Sequence, residues 1–197
     1  MIAAADMAGV ILAGGKSSRM GEDKALITIN GKTLIEHVAS EMKLVFERVI
    51  LIARENPSYS FLGIQSFDDI YSNCGPLGGI HSGLVHSGAK AIFVTACDTP
   101  FITNCLIRYV ALFPSHSLAK IPSLDGHNHP LCGVYDQGCL KQIIDHIQDR
   151  RFKVMDLLAE IGAAFVPVGI SLPWYTPNLL VNINDKTELN ALKGPMR

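Results

Sequence analysis

Three cations, two hydroxyls and two adjacent glycines crowd one short stretch of this 197-residue chain, Leu12-Ala13-Gly14-Gly15-Lys16-Ser17-Ser18-Arg19-Met20-Gly21-Glu22-Asp23-Lys24. Glycines let backbone N–H groups approach a ligand closely, and a concave row of such groups binds phosphate oxygens. Lys16, Arg19 and Lys24 add positive charge for the same oxyanions. The chemistry this implies is the holding of a nucleoside triphosphate. Two other phosphate loops are excluded. A Walker A loop ending at Gly15-Lys16-Ser17 requires glycine where Val10 stands, and neither Gly14 nor Gly15 starts a Gly-x-Gly-x-x-Gly fingerprint. A strand-to-helix turn with solvated charges is the plain alternative, and it leaves this density of donors unexplained.

Carboxylates supply the second ingredient. Asp98 follows the apolar run Ile92-Phe93-Val94-Thr95, with Pro100 two residues on, which holds its carboxylate at a strand mouth. A hard Mg²⁺ ion is bound by one or two carboxylates together with substrate phosphate oxygens and water, and Asp98 suits that part. Asp68 and Asp69 end another short apolar run. Asp69 serves the nucleotide sugar, the base or the metal, or is a turn residue, with Asp68 competing for its place. The reaction such a set supports is displacement at phosphorus, accelerated by in-line positioning and by charge neutralisation from Arg19 and Lys24. No Ser/His/Asp triad and no helical zinc motif is present.

Positioning these groups requires strands that end together. Ala8 to Leu12, Arg48 to Ala53, Gly63 to Phe67 and Ala89 to Ala96 read as strands. Helices are expected from Thr33, as N-cap of a capping box with Glu36, over Leu77 to His86, and from Thr103 or Asn104 to Phe113. Gly31 to Thr33 reads as a turn, and Pro76 suits the first turn of the glycine-rich second helix. The second half yields strands over Leu118–Ile121, Leu131–Tyr135, Ala164–Val168 and Leu180–Ile183. It also yields helices over Leu140–Ile147, Val154–Ile161 and Asp185–Leu192. The alternation gives an α/β fold, a Rossmann-like, mostly parallel sheet with helices on both faces. In such sheets ligands bind at the carboxyl ends of strands, where the glycine loop, Asp68-Asp69 and Asp98 all fall.

Composition agrees. Hydrophobic residues make up 48% and the formal net charge is −1, so a packed globule is expected with no general attraction to nucleic acid or anionic membrane. One domain over 1–197 is expected, its N-terminal half binding nucleotide and its C-terminal half the acceptor. No apolar run reaches the roughly 20 residues of a membrane span. Met1 to Leu12 lacks a basic start and reads as a short leader and strand, not a signal peptide. Five cysteines with no Cys-x-x-Cys pattern suit reduced thiols in a cytoplasmic protein. His81 and His86 read as packing or surface residues, Cys97 as buried packing, and Trp174 as a lid, a partner contact or loop packing. His127 and His129 lack a third ligand for a metal.

The motifs in order resemble a known family. Leu12-Ala13-Gly14-Gly15-x-Ser-x-Arg19-Met20-Gly21-x-Asp23-Lys24 is similar to the opening motif of nucleotidyltransferases. It is followed by Gly75-Pro76-Leu77-Gly78-Gly79-Ile80, Cys97-Asp98-Thr99-Pro100-Phe101, Asp125-Gly126 with His129-Pro130-Leu131, Arg150-Arg151-Phe152-Lys153-Val154, and Asn182-Ile183-Asn184-Asp185. Over nearly the whole chain these resemble the molybdenum cofactor guanylyltransferases, the MobA family. The resemblance implies transfer of GMP from GTP to the terminal phosphate of molybdopterin, with Mg²⁺ and release of pyrophosphate, and delivery of the product to molybdoenzyme maturation proteins. It implies that Leu12, Ala13, Gly14, Gly15 and Lys24 line the nucleotide, Asp69 lies near it, and Asp98 binds Mg²⁺. By the same resemblance His129, Arg151, Asn182 and Asn184 are expected to lie toward the pterin side. The chain departs from the family at Asp185-Lys186, where Thr-Pro is common, and at Ile52-Ala53-Arg54, which lacks an asparagine expected near guanine. A cytidylyltransferase and a non-catalytic nucleotide or cofactor carrier are the rival readings.

Overall fold

The computed structural model describes residues 6–14, 23–53, 57–184 and 188. Strand β1 (Met7–Leu12) is buried along its whole length, the mark of a strand covered on both faces. It pairs in parallel with β4 (Val49–Ile52) on one side and β6 (Ala91–Ala96) on the other, and β5 (Gln65–Phe67) extends the sheet beyond β4. The connections define two layers. Helix α1 (Leu34–Lys43) carries the chain from β1 to β4, and α2 (Gly75–Ser87) carries it from β5 to β6.

Alternation along β1 feeds both layers. Met7 and Ile11 pack with Ile35, Val38 and Met42 of α1, whereas Val10 and Leu12 pack with Leu77, Ile80 and Leu84 of α2. Gly9 is required by this packing: a Cβ there would stand 2.8 Å from the Met42 side chain. Helix α1 starts as the sequence predicts. Thr33 Oγ1 accepts from the Glu36 N–H at 3.3 Å, and the Thr33 N–H donates to Glu36 at 2.7 Å. The helix stops at Lys43, so Phe46 reaches the core from a loop, 5.9 Å from the Phe93 ring.

Beyond β6 the sheet becomes mixed, a difference from uniform parallel continuation. The two-residue Asp125-Gly126 turn joins β7 (Ala119–Leu124) and β8 (His127–Asn128) as antiparallel neighbours, and β9 (Cys132–Asp136) runs on along β7 in the same direction as β8. Strand β9 inserts antiparallel between β6 and β7, and β10 (Ala164–Val168) closes the edge in parallel with β7. Helix α3 (Asn104–Ala111) joins the α1 face, capped by Thr103, while α4 (Leu140–Gln148) and α5 (Val154–Glu160) join α2.

Two further differences bear on the site. The short antiparallel strands β2 (Thr28–Ile29) and β3 (Lys32–Thr33) form a hairpin whose loop residues, Asn30 and Gly31, both have positive φ (50° and 82°). Two-residue Asn-Gly loops of this kind match the natural twist of a hairpin. The expected strand over Leu180–Ile183 is absent: that segment is irregular, with Leu180 and Ile183 buried by packing and Val181 half-buried. The helix expected from Asp185 lies outside the described residues, apart from Glu188. Among the described residues, no helix is long and apolar enough to cross a membrane.

Candidate functional site

The chain leaves β1 toward β4 on one side and returns through β6 on the other, so the carboxyl ends of β1 and β6 flank the point where strand order reverses. That is where open α/β sheets form a ligand crevice. Leu12 and Ala96 are register partners at this end, and the Leu12 carbonyl accepts from the Cys97 N–H at 3.0 Å. The Ala13 N–H donates to the Ile52 carbonyl at 2.9 Å. Gly14 is the first residue to leave the sheet; it is exposed, with nothing near where a Cβ would stand. Gly15 and Arg19 lie outside the described residues.

Lys24 returns to the same crevice. It opens a 3-10 turn, Lys24–Leu26, capped by Asp23, whose side chain accepts from the Ala25 N–H at 3.1 Å and from the Tyr59 hydroxyl at 2.5 Å. The turn aims the Lys24 ammonium at Asp98 Oδ2, with which it forms an ion pair. Asp98 stands one residue past Cys97, as the strand-mouth argument requires, and is 7% exposed. Its other oxygen, Oδ1, is buried and has no hydrogen-bond partner among the described residues. A buried carboxylate oxygen with no donor is costly, and the other oxygen of this carboxylate already pairs with the Lys24 ammonium. A hard cation completed by phosphate oxygens and water fits it, since Mg²⁺ needs few protein ligands. No group of three potential metal ligands occurs among the described residues.

Asp69 follows β5 one strand further out, yet reaches the same edge through α2. Its Oδ1 lies 3.9 Å from where a Cβ on Gly78 would stand, and a Cβ on the neighbouring Gly79 would meet Leu12 at 3.0 Å. Glycine at both positions lets the first turns of α2 close against the Asp69 loop and the end of β1. Partial desolvation, with help from Asp68, raises the Asp69 pKa. A carboxylate held reluctantly charged suits contact with a donor or cation from a ligand.

The C-terminal segment enters from the opposite side. The Ile183 N–H donates to the Asp98 carbonyl at 2.8 Å, and Thr99 Oγ1 donates to Asn182 Oδ1 at 3.2 Å. Asn182 and Asn184 are exposed while Ile183 between them is fully buried. His129 lines a pocket of about 200 Å³ with Leu124, Asp125, His127, Leu180 and Val181, so it borders the chain that leads into Asn182. Desolvation, with His127 nearby, lowers its pKa, which makes it a neutral hydrogen-bonding ring at neutral pH.

The structure thus brings Leu12, Ala13, Gly14, Lys24, Asp98 and Asn182 together, with Asp69, Asn184 and His129 bordering them. Arg151 is engaged elsewhere, in the α4–α5 connection. It donates to Glu160 at 3.0 Å and Asp149 at 3.2 Å, beside His146, and its backbone N–H caps the His146 carbonyl. The packing readings of Cys97, His81 and His86 also hold: burial pushes the Cys97 thiol to about 12, His81 is buried edge-on to Tyr71, and His86 stacks on Phe67. Trp174 has its ring centroid 5.4 Å from that of Tyr109. Thr99 and Ile183 were not singled out from sequence, although each adjoins a residue that was.

A mostly parallel α/β sheet with Gly14, a lysine and a buried carboxylate at its switch point is the arrangement expected of a protein that handles nucleotide phosphates. Comparison with known proteins narrows the class. The model of the MobA-like NTP transferase domain matches residues 9–164. A molybdenum cofactor guanylyltransferase from Vibrio parahaemolyticus is 33% identical over 183 residues, 91% of each chain. Another, from Desulfosudis oleivorans, is 30% identical over 195 residues, 96% of this chain and 95% of that one. The crystal structure of molybdopterin-guanine dinucleotide biosynthesis protein A from Archaeoglobus fulgidus superposes with a TM-score of 0.77 at 24% identity, covering 94% of this chain and 96% of that one; this likeness speaks to the fold. The chain belongs to the MobA-like NTP transferase family and is a nucleotidyltransferase.

Proposed function

We propose that this protein transfers GMP from GTP to the terminal phosphate of molybdopterin carrying molybdenum, forming the guanine dinucleotide cofactor. The observation that carries the reading is the Lys24–Asp98 pair at the switch point, with Asp98 Oδ1 buried and without a partner among the described residues. The names of the relatives supply the base and the acceptor. An oxygen of the acceptor phosphate attacks the α-phosphorus of GTP. The bond from that phosphorus to the bridging oxygen breaks, and pyrophosphate leaves with the electron pair.

In this reading Leu12 to Gly14 present backbone to the triphosphate and Lys24 swings from Asp98 to its oxygens. Arg19 and Gly15 complete the loop. Asp98 would hold Mg²⁺, which when bound neutralises charge on the phosphate oxygens. Asp69 contacts the nucleotide, while Asn182, Asn184 and His129 receive the acceptor. Arg151 would need to leave Glu160 and Asp149 to join them. We assign the protein to the cytoplasm, where its free thiols stay reduced, and the product passes to molybdoenzyme maturation proteins.

The test is incubation with Mg²⁺ and molybdopterin plus either GTP or CTP, with products identified by mass. A guanine dinucleotide is expected. Preferential cytidylyl product would assign the chain to the rival transferase, and tight GTP binding without any product would make it a carrier.

A further inference from the structure

We infer that Ile183 is a positioning residue that locks the two halves of the site into one register; the inference rests on the transferase reading above. Its side chain is fully buried in a small apolar cluster with Ile27, Ile29 and Leu34, against which Phe101 packs. This cluster is separate from the two large cores that cover the faces of the sheet.

Every member of the cluster leads directly to a group in the site. Ile27 ends the turn that carries Lys24, and its N–H donates to the Lys24 carbonyl at 3.1 Å. Leu34 ties back to Ile27 through a 2.9 Å backbone bond, with the Asn30-Gly31 hairpin and its Ile29 between them. Phe101 lies three residues beyond Asp98. Ile183 donates its own N–H to the Asp98 carbonyl, and its neighbours Asn182 and Asn184 are the exposed pair assigned to the acceptor. One buried side chain therefore fixes the lysine turn, the carboxylate backbone and the asparagine pair relative to one another. A displacement of about 1 Å between reacting groups costs on the order of 100-fold in rate, so loss of this wedge should act on turnover before it acts on nucleotide binding.

The experiment compares Ile183→Ala, Ile183→Val and Leu157→Ala. Leu157 is also fully buried but sits in the core cluster that holds α4 and α5, away from the Ile183 wedge. Ile183→Ala is expected to lower kcat by about 10- to 100-fold with the KM for GTP changed by less than about 3-fold. Ile183→Val should recover most of the loss, and Leu157→Ala should leave kcat nearly intact at an equal or larger drop in Tm. Hydrogen exchange without substrate supplies an arm independent of the reaction: Ile183→Ala should speed exchange both at Ile27–Leu34 and at Asp98–Phe101. Equal kcat losses for Ile183→Ala and Leu157→Ala, or faster exchange confined to residues beside Ile183, would overturn the inference. If the unaltered protein makes no product, the functional reading fails while the exchange arm still decides the positioning role.

Discussion

Replacing Lys24 by methionine should weaken catalysis and strengthen metal binding at once. The ammonium lies against Asp98 Oδ2 with Lys24 25% and Asp98 10% exposed, so in the proposed metal-binding reading the lysine neutralises the carboxylate that would hold the cation. Two unit charges about 4 Å apart interact by roughly 4 kcal/mol at the effective dielectric of a protein surface. A divalent ion entering beside Lys24 meets repulsion of at least that order before the side chain swings away. If relaxation leaves only about a third of it, Lys24→Met should bind Mn²⁺ alone about tenfold more tightly. Losing a charge-neutralising donor should meanwhile cost about 10²–10³ in kcat. The metal-free variant, holding an unpaired carboxylate that is not fully buried, should lose about 1–3 kcal/mol of stability, and saturating Mn²⁺ should restore much of it. Mn²⁺ titration followed by electron paramagnetic resonance in the absence of nucleotide, with thermal melts with and without metal, measures both arms. Unchanged or weaker Mn²⁺ binding by Lys24→Met, while Asp98→Asn abolishes it, would refute the exchange.

Asp98→Asn should lower pyrophosphate release at least about 10³-fold with circular dichroism unchanged; near-normal release removes its role. Asp69→Asn should reduce turnover while slightly raising Tm, within the roughly 0.5 kcal/mol usual at exposed positions. The sign follows from its raised folded pKa: the folded state takes up the proton first, so this group's penalty is present at neutral pH and relieved as pH falls through the folded value. Tm differences between wild type and variant that grow toward acid would contradict this. Gly78→Ala places a Cβ 2.8 Å from the Tyr71 carbonyl and should cost about 1–3 kcal/mol in urea denaturation; a neutral result would show that the Asp69 loop yields freely. Lys120 is buried in β7 and donates to the Ala111 and Phe113 carbonyls at the end of α3. Burial lowers its pKa from 10.5, so its contribution to stability grows as pH rises through the folded value toward 10.5. Lys120→Met should flatten that rise in melts across alkaline pH.

What the sequence could reveal follows the range of the interaction. The Thr33–Glu36 capping box spans three residues and could be read directly, as could the buried strand ending at Asp98. The Asn30-Gly31 pair between Ile27, Ile29 and Leu34 is also a local hairpin signal. Strand direction is another matter: periodicity is identical in parallel and antiparallel strands, so the reversal of β9 has no signature in Leu131–Tyr135. Leu180 to Ile183 has the composition of a strand because apolar side chains look alike whether buried by a ladder or by packing. Arg151 owes its expected pterin role to the resemblance alone; its partner Glu160 lies nine residues on, at the end of α5.

The site itself is built from contacts no local pattern contains. Lys24 and Asp98 are 74 residues apart, and Thr99 and Asn182 are 83 apart. What makes them meet is the order β5-β4-β1-β6. Placing β1 next to β6 puts the first loop and Asp98 at adjacent strand mouths, and the C-terminal segment then hydrogen-bonds to the backbone of that same aspartate. Residue type therefore announced the chemistry of each piece, and strand order determined which pieces share a crevice. The consequence is that the carboxylate is the common element. Oδ2 of Asp98 pairs with Lys24, its Oδ1 is buried with no partner among the described residues, and its backbone carbonyl accepts from Ile183 between the two asparagines. A shift of the Asp98 backbone must move all three together, so donor and acceptor should not be tunable independently by substitutions that displace it.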